Sequence, residues 1–229
     1  MTISDKKFEL FNILKKEKKE ILLDLLMSAY AVMKSRQQSH VFGNILSKSI
    51  ATDKNLKESK ILNEVNDFYK QSLAGHYYAP FEINSKNFMN VPEETDQWCE
   101  QISFLLEKSS QLTKLGKHEV AVKCFQMLFE LMDRLGDDEI IFGDEIGTWM
   151  IGANEEGAIK AYVISLTKTK TAQEFVEYIS PLLMRDSQES FSNNVYAKIK
   201  AIAKKEQKNK LEETIKSRGI KIKNLKKGK

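Results

Sequence analysis

The segment from Leu105 to Asp133 most constrains the fold, because apolar residues recur at helical spacing on both sides of one short break. Its sequence is LLEKSSQLTKLGKHEVAVKCFQMLFELMD. Residues three or four positions apart share one face of an α-helix, and a glycine such as Gly116 commonly ends one. We therefore expect residues 98–133 to form two helices that fold back on each other and pack.

The same pair of helices resembles the tetratricopeptide repeat, in which small residues lie where two helices cross closely and large ones fill the space between. The matching positions are Leu105, Ser109, Leu112, Ala121, Phe125 and Leu128. Lys108 stands where the repeat expects Leu, and Asp133 stands where it expects Pro. The order AVKCF at 121–125 returns as AIKAY at 158–162. This echo predicts further stacked helical pairs.

The remaining composition favours an all-α protein, since a chain of 229 residues holds only three Pro and ten Gly. Helical periodicity stops in the aromatic and Asn-rich stretch at 76–92, which predicts an ordered loop. We expect an N-terminal helical unit over 1–75, this loop over 76–92, a helical-repeat-like unit over 93–217, and a basic flexible tail over 218–229.

The run ILLDLLMSAYAVM at 21–33 is the most apolar stretch of the N-terminal part. It is shorter than the about 20 residues that a membrane span needs, and Asp24 interrupts it. The run therefore predicts the buried part of an amphipathic helix, and no membrane partner is expected. Cys99 and Cys124 lie within helical patterns, which favours free thiols, a reducing compartment and a cytoplasmic location.

The stretch GDDEIIFGDEIGTWMIG at 136–152 combines carboxylates, glycines and a tryptophan. A Mg²⁺ or Ca²⁺ site is one interpretation, but the spacing does not follow the Ca²⁺-loop pattern, and we assign no metal. We expect instead a short β-like elbow over 139–151 that closes one end of the helical stack. Between Asp133 and Glu156 stand eight carboxylates and one cation, so this acidic surface is suited to a basic partner. The candidate partner-binding residues are Asp138, Glu139, Asp144, Glu145 and Trp149.

Further along, Thr171 and Glu174 form a capping box before a helical pattern that contains Pro181. A last helix is predicted from about Gln188 to Ser217, with its second half as a solvated extension. Thirteen Lys and Arg stand against three acidic residues over 198–229, a net charge of +10. Such a surface can bind phosphate backbones without reading sequence. The candidate polyanion-binding residues are Lys204, Lys205, Lys208 and Lys210.

No sequence motif nominates an enzyme. Glycine-rich phosphate loops, dinucleotide fingerprints and paired zinc-ligating cysteines are not present. His118 is interpreted as a turn residue, and its spacing from Cys124 places the two on different helix faces. We therefore assign no catalytic residue and no cofactor.

The part of the chain from Tyr78 to about Leu211 resembles a family of uncharacterised bacterial helical proteins. The segments that carry the resemblance are APFEINSKNFMNVPEETDQW, DEIIFGDEIGTWMI, AYVISL, TAQEFVEYISPLLMRDS and SFSNNVYAKI. Related sequences sometimes accompany SWIM-type zinc-finger regions, but this chain lacks the cysteine pairs of that module. The resemblance implies a helical fold and carries no activity.

These features together predict a non-enzymatic interaction or scaffold protein that binds another protein through a helical groove or the acidic elbow. The alternative is a nucleic-acid-associated factor that acts through the basic C-terminal segment.

Overall fold

The structure is a computed structural model that describes residues 3–33, 37, 41–42, 57–79, 92–137, 140–141, 154–184, 190–220 and 222. These residues form nine α-helices and no strand, so the all-α class is confirmed. The helices are α1 Ile3–Leu14, α2 Lys19–Val32, α3 Glu58–Leu73, α4 Glu93–Lys114, α5 His118–Asp133, α6 Glu155–Thr169, α7 Ala172–Met184, α8 Ser190–Ile202 and α9 Lys205–Arg218. A 3-10 turn over Arg134–Asp137 follows α5. The chain divides into two compact units, Met1–Gly43 and Asn44–Lys229.

Helices α4 and α5 form the predicted pair and pack against each other across a tight turn. All six residues that match the tetratricopeptide pattern are buried. Gly116 has φ +75° at the turn, a left-handed conformation that side-chain-bearing residues rarely adopt. The packed helix pair is therefore confirmed, with glycine required at its turn.

Helix α3 belongs to the second unit, which places the division of the chain earlier than the predicted loop at 76–92. It packs on both α4 and α5. The indole Nε1 of Trp98 donates a 2.9 Å hydrogen bond to Ser72 Oγ, and the Trp98 and Phe68 rings lie 5.8 Å apart. The sequence showed where periodicity stops, but not that the chain returns to the same core after the interruption.

Helix α6 packs on α4 and α5, and it places Tyr162 between α5 and α7. The Asn154 side chain caps α6 by accepting a 2.8 Å hydrogen bond from the Gly157 N–H. The predicted capping box begins α7: the Thr171 N–H donates to Glu174 Oε2 at 3.0 Å, and the Glu174 N–H donates to Thr171 Oγ1 at 3.3 Å. Pro181 lies inside α7, which continues to Met184.

The predicted single C-terminal helix is wrong, because the chain breaks between α8 and α9 at Ala203 and Lys204. The second half is not a solvated extension either. Helix α9 packs on α7 and buries three residues at a spacing of four, Gln207, Leu211 and Ile215. Beyond its left-handed cap at Gly219, Ile222 is also buried. The predicted tail therefore begins with residues attached to the core, and most of 221–229 lies outside the described residues.

The prediction for 21–33 is also wrong in one respect. Helix α2 forms there, but none of its residues is buried. No helix among the residues that the structure describes is both long enough and apolar enough to cross a bilayer.

Candidate partner-binding groove

A groove of about 350 Å³ lies between α5 and α7, with Tyr162 of α6 at its floor. Its volume is at the lower end of the range of small-ligand sites, about 300–1,000 Å³. The described residues that line it are Gln126, Phe129, Glu130, Asp133, Tyr162, Glu177, Tyr178, Pro181 and Leu182.

The floor of the groove is a fixed aromatic cluster. Phe129 and Tyr162 are 4% and 2% exposed, and their ring centroids lie 5.4 Å apart. Phe125 packs behind both, at 5.7 Å from Phe129 and 5.6 Å from Tyr162. Aromatic rings at these separations attract one another beyond their burial alone. The floor is therefore rigid, and Phe129 and Tyr162 present only their small exposed edges to an incoming side chain.

The Tyr162 hydroxyl connects the floor to the wall formed by α7. It donates a 3.3 Å hydrogen bond to the backbone carbonyl of Tyr178. That carbonyl lies three residues before Pro181, where a proline ring distorts the local helical hydrogen bonding. Burial raises the pKa of Tyr162, with a smaller contribution from Tyr178. The hydroxyl is thus a protonated structural donor at neutral pH.

Carboxylates form the rim. Glu130 and Asp133 are exposed on α5, and Glu177 is exposed on α7 across the groove. The Glu130 carboxylate already has partners, since Arg134 Nη2 lies 3.2 Å away and the Tyr69 hydroxyl hydrogen-bonds to it. The nine lining residues include three acids and no Lys or Arg. An apolar floor with an acidic rim is complementary to an apolar side chain flanked by cations.

His118 and Ser165 form a pair that sequence reasoning missed. His118 is the first residue of α5 rather than a turn residue. Its Nδ1 lies 3.2 Å from Ser165 Oγ, and Thr113 Oγ1 lies 2.8 Å from the same atom. Ser165 is 0% exposed, so its oxygen cannot meet a substrate. The cluster fastens α6 to α4 and α5, and spacing could not reveal it because 47 residues separate His118 from Ser165.

The candidate residues of the elbow, Asp138, Glu139, Asp144, Glu145 and Trp149, lie outside the described residues. Within the predicted 139–151 elbow, only Ile140 and Ile141 are described, and both are buried. The short β-like structure is not confirmed. Among the described residues, no group of three or more His, Cys, Asp or Glu is placed to hold a metal ion.

The four candidate lysines lie on or directly before α9. Lys204 and Lys205 are exposed, whereas Lys208 and Lys210 are partly buried. Lys210 pairs with Glu213 at 3.0 Å. Helix α9 carries five Lys and Arg against three Glu, a net charge of +2, so most of the basic excess lies elsewhere in the C-terminal segment. Nucleic-acid binding stays a prediction.

No family model, curated protein or solved structure matches this chain. The resemblance to the bacterial helical family and to the tetratricopeptide repeat therefore stays a prediction.

The sequence predicts a groove between helices without its position, and it singles out only a few residues at or near the one observed. Phe125, behind the floor, and Tyr162 are matching positions of two helical pairs, and Asp133 begins an acidic run. The sequence does not predict that α7 lies opposite α5. The contribution of Glu177 and Tyr178 depends on that packing, and their local sequence is that of any amphipathic helix.

Proposed function

We propose that this protein is a non-enzymatic interaction protein, and that the groove between α5 and α7 receives a basic segment of a partner protein. The segment carries one large apolar side chain for the aromatic floor and Lys or Arg beside it for the rim. The observation that supports this proposal is the combination of the buried Phe129 and Tyr162 with exposed carboxylates on both sides.

Each part of the groove has a separate role in this proposal. The floor supplies affinity, because a side chain that enters it leaves water and meets rings that are already ordered. Asp133 and Glu177 supply orientation and speed of encounter, because exposed charges affect association and specificity more than affinity. A groove of about 350 Å³ accommodates a short anchor. We therefore expect weak, reversible binding with a Kd of roughly micromolar order.

The predicted acidic elbow remains part of this proposal. Asp133 lies on the rim and is the first residue of an acidic run in the sequence. This run contains Asp138, Glu139, Asp144 and Glu145.

The test is selection of binding peptides from a phage-displayed library of random 12-residue sequences, followed by fluorescence anisotropy with the labelled peptides. We expect selected peptides to combine Lys or Arg with Leu, Phe or Trp, and their binding to weaken steeply with added salt. Replacing the apolar anchor by Ala in the peptide should abolish measurable binding, since buried anchors supply most of such binding energy.

The decisive variant reverses the charge of the rim by Asp133→Lys and Glu177→Lys. Both side chains are exposed, so the fold should persist. We expect the Kd to increase at least about tenfold. The matched control is Glu94→Lys with Glu206→Lys, which makes the same charge change at exposed sites on α4 and α9. Peptides that bind the rim variant as tightly as the unchanged protein, or a selection that yields acidic peptides, would show that the groove is not the binding site.

A further inference from the structure

Helices α1 and α2 expose most of their large apolar side chains. The exposed fraction is 53% for Leu10, 51% for Phe11, 52% for Ile13, 43% for Ile21, 49% for Leu23, Leu25 and Leu26, 71% for Met27, 38% for Tyr30 and 84% for Val32. Helix α2 has no buried residue. Isolated exposed apolar residues are ordinary on a protein surface, but ten large ones within two consecutive helices are more than isolated exposure accounts for.

The apolar surface of α2 extends around most of the helix. At 100° per residue, Glu20, Asp24, Ser28 and Ala31 form one polar or small-residue strip. Apart from Lys19 and Ala29, large apolar residues occupy the rest of the helix surface. A soluble helix that is apolar on nearly all sides is normally enclosed by other helices. The first unit of this chain does not provide that enclosure.

The exposed area is enough for a stable dimer. Ten large side chains that are about half exposed present on the order of 1,000 Å² of surface per chain. A standard specific interface buries about 800 Å² from each partner, and the interfaces of obligate homodimers are larger and more apolar. The residues of α1 and α2 therefore supply by themselves what one side of such an interface requires.

We propose that α1 and α2 are a self-association element, which pairs with the same helices of a second copy of this chain. A two-fold interface needs only one patch that is compatible with itself. The segment 21–33 meets this condition, since Asp24 is its single charged residue and two such segments bring few like charges together. A helix that lies on a membrane surface carries Lys or Arg along its polar face. The polar strip of α2 holds Glu20, Asp24 and Ser28 instead.

The test measures the mass of the full chain by size-exclusion chromatography with light scattering, from about 1 µM to about 100 µM. We expect twice the chain mass of 26.4 kDa. The variant Leu23→Lys with Met27→Lys places two charges one helical turn apart on α2. It should raise the dissociation constant of the dimer at least about 100-fold and give a monomer.

The matched control is Leu115→Lys with Met184→Lys. It makes the same chemical change at two apolar residues of the second unit that are 45% and 62% exposed. This control should remain a dimer, and circular dichroism should show equal helicity for all three proteins. A full chain that stays at 26.4 kDa at about 100 µM overturns the proposal, as does an α2 variant that stays dimeric.

Sedimentation with vesicles of phosphatidylcholine and phosphatidylglycerol distinguishes binding to a membrane surface from binding to a second copy of the chain. If the chain is monomeric and sediments with the vesicles, and if Leu23→Lys with Met27→Lys abolishes this cosedimentation, then α1 and α2 bind a lipid surface and not a second copy. Dimerisation without vesicle binding supports the proposal.

Discussion

Cys124 shows at the residue scale how packing controls chemistry. It lies on α5 against α4, is 0% exposed, and its thiol hydrogen-bonds to Ser109. Burial raises its pKa from 9.0 to about 12, and the Ser109 hydrogen bond opposes this rise only in part. Because the thiolate is the reactive form, Cys124 is inert at neutral pH. Neither cysteine forms a disulfide in the structure.

This burial leads to a prediction about thiol reactivity. In a Cys99→Ala variant, Cys124 should not react with Ellman's reagent at about pH 8 while the protein is folded, and should react fully after unfolding in urea. Rapid reaction of the folded variant, in a time shorter than its unfolding, would show that Cys124 is accessible.

The same pKa change fixes the sign of a pH dependence. The folded-state pKa is raised, so the contribution of Cys124 to stability is complete below pH 9 and is lost progressively as the pH approaches 12. The difference in urea midpoint between the unchanged protein and Cys124→Ala should therefore shrink at alkaline pH. A constant difference across that range would be inconsistent with a buried neutral thiol.

Residue identities that depend on local spacing were predictable, and long-range contacts were not. Phe125 and Leu128 followed from the period of one helix, and Glu174 followed from its distance to Thr171. The hydrogen bond of Trp98 to Ser72 joins residues 26 apart in the chain. A periodicity identifies which face of a helix is buried, but it does not identify the residue that the face meets.

At the scale of elements, the break between α8 and α9 shows how a polar residue can anchor a helix. Gln207 is buried, its Oε1 accepts from the Lys204 N–H at 3.1 Å, and its Nε2 donates to the Lys170 carbonyl at 3.0 Å. One side chain thus caps α9 and ties it to the connection between α6 and α7. The Lys-rich composition of α9 concealed its narrow buried stripe, which contains only two apolar residues, Leu211 and Ile215.

We expect Gln207→Ala to lower the free energy of unfolding by about 2 kcal/mol, because a buried carbonyl and a helix N-terminus lose their partner. Urea denaturation followed by circular dichroism measures this change. Asn209→Ala, two residues along on the exposed side of α9, is the matched control and should change stability by less than about 0.5 kcal/mol. If the two substitutions lower the free energy of unfolding equally, Gln207 does not anchor α9.

At the scale of the whole molecule, the division after Gly43 separates the self-association element from the helical unit that holds the groove. The boundary predicted from composition, over 76–92, would instead remove α3 from its core. Ile61, Val65 and Phe68 of α3 are each 2% exposed or less. A change in composition indicates where regular secondary structure stops. A domain boundary is instead a position in the chain that few contacts cross.

The structure therefore predicts that residues 44–229 fold without the first unit. This shortened chain should keep the helicity expected of α3 to α9 and a single cooperative urea transition. A chain that begins at His76 should lose cooperativity or aggregate, since it exposes the surface that α3 covers. If the chain from His76 unfolds with the same midpoint as the chain from Asn44, α3 does not contribute to the core as described.

The buried position of the Trp98 side chain has one practical consequence. Its indole ring is fully buried, and the indole N–H donates a hydrogen bond to Ser72 of α3. The emission of an indole moves to longer wavelength when water reaches the ring. The departure of α3 from its neighbours would therefore change the colour of the protein's own fluorescence, without any dye attached.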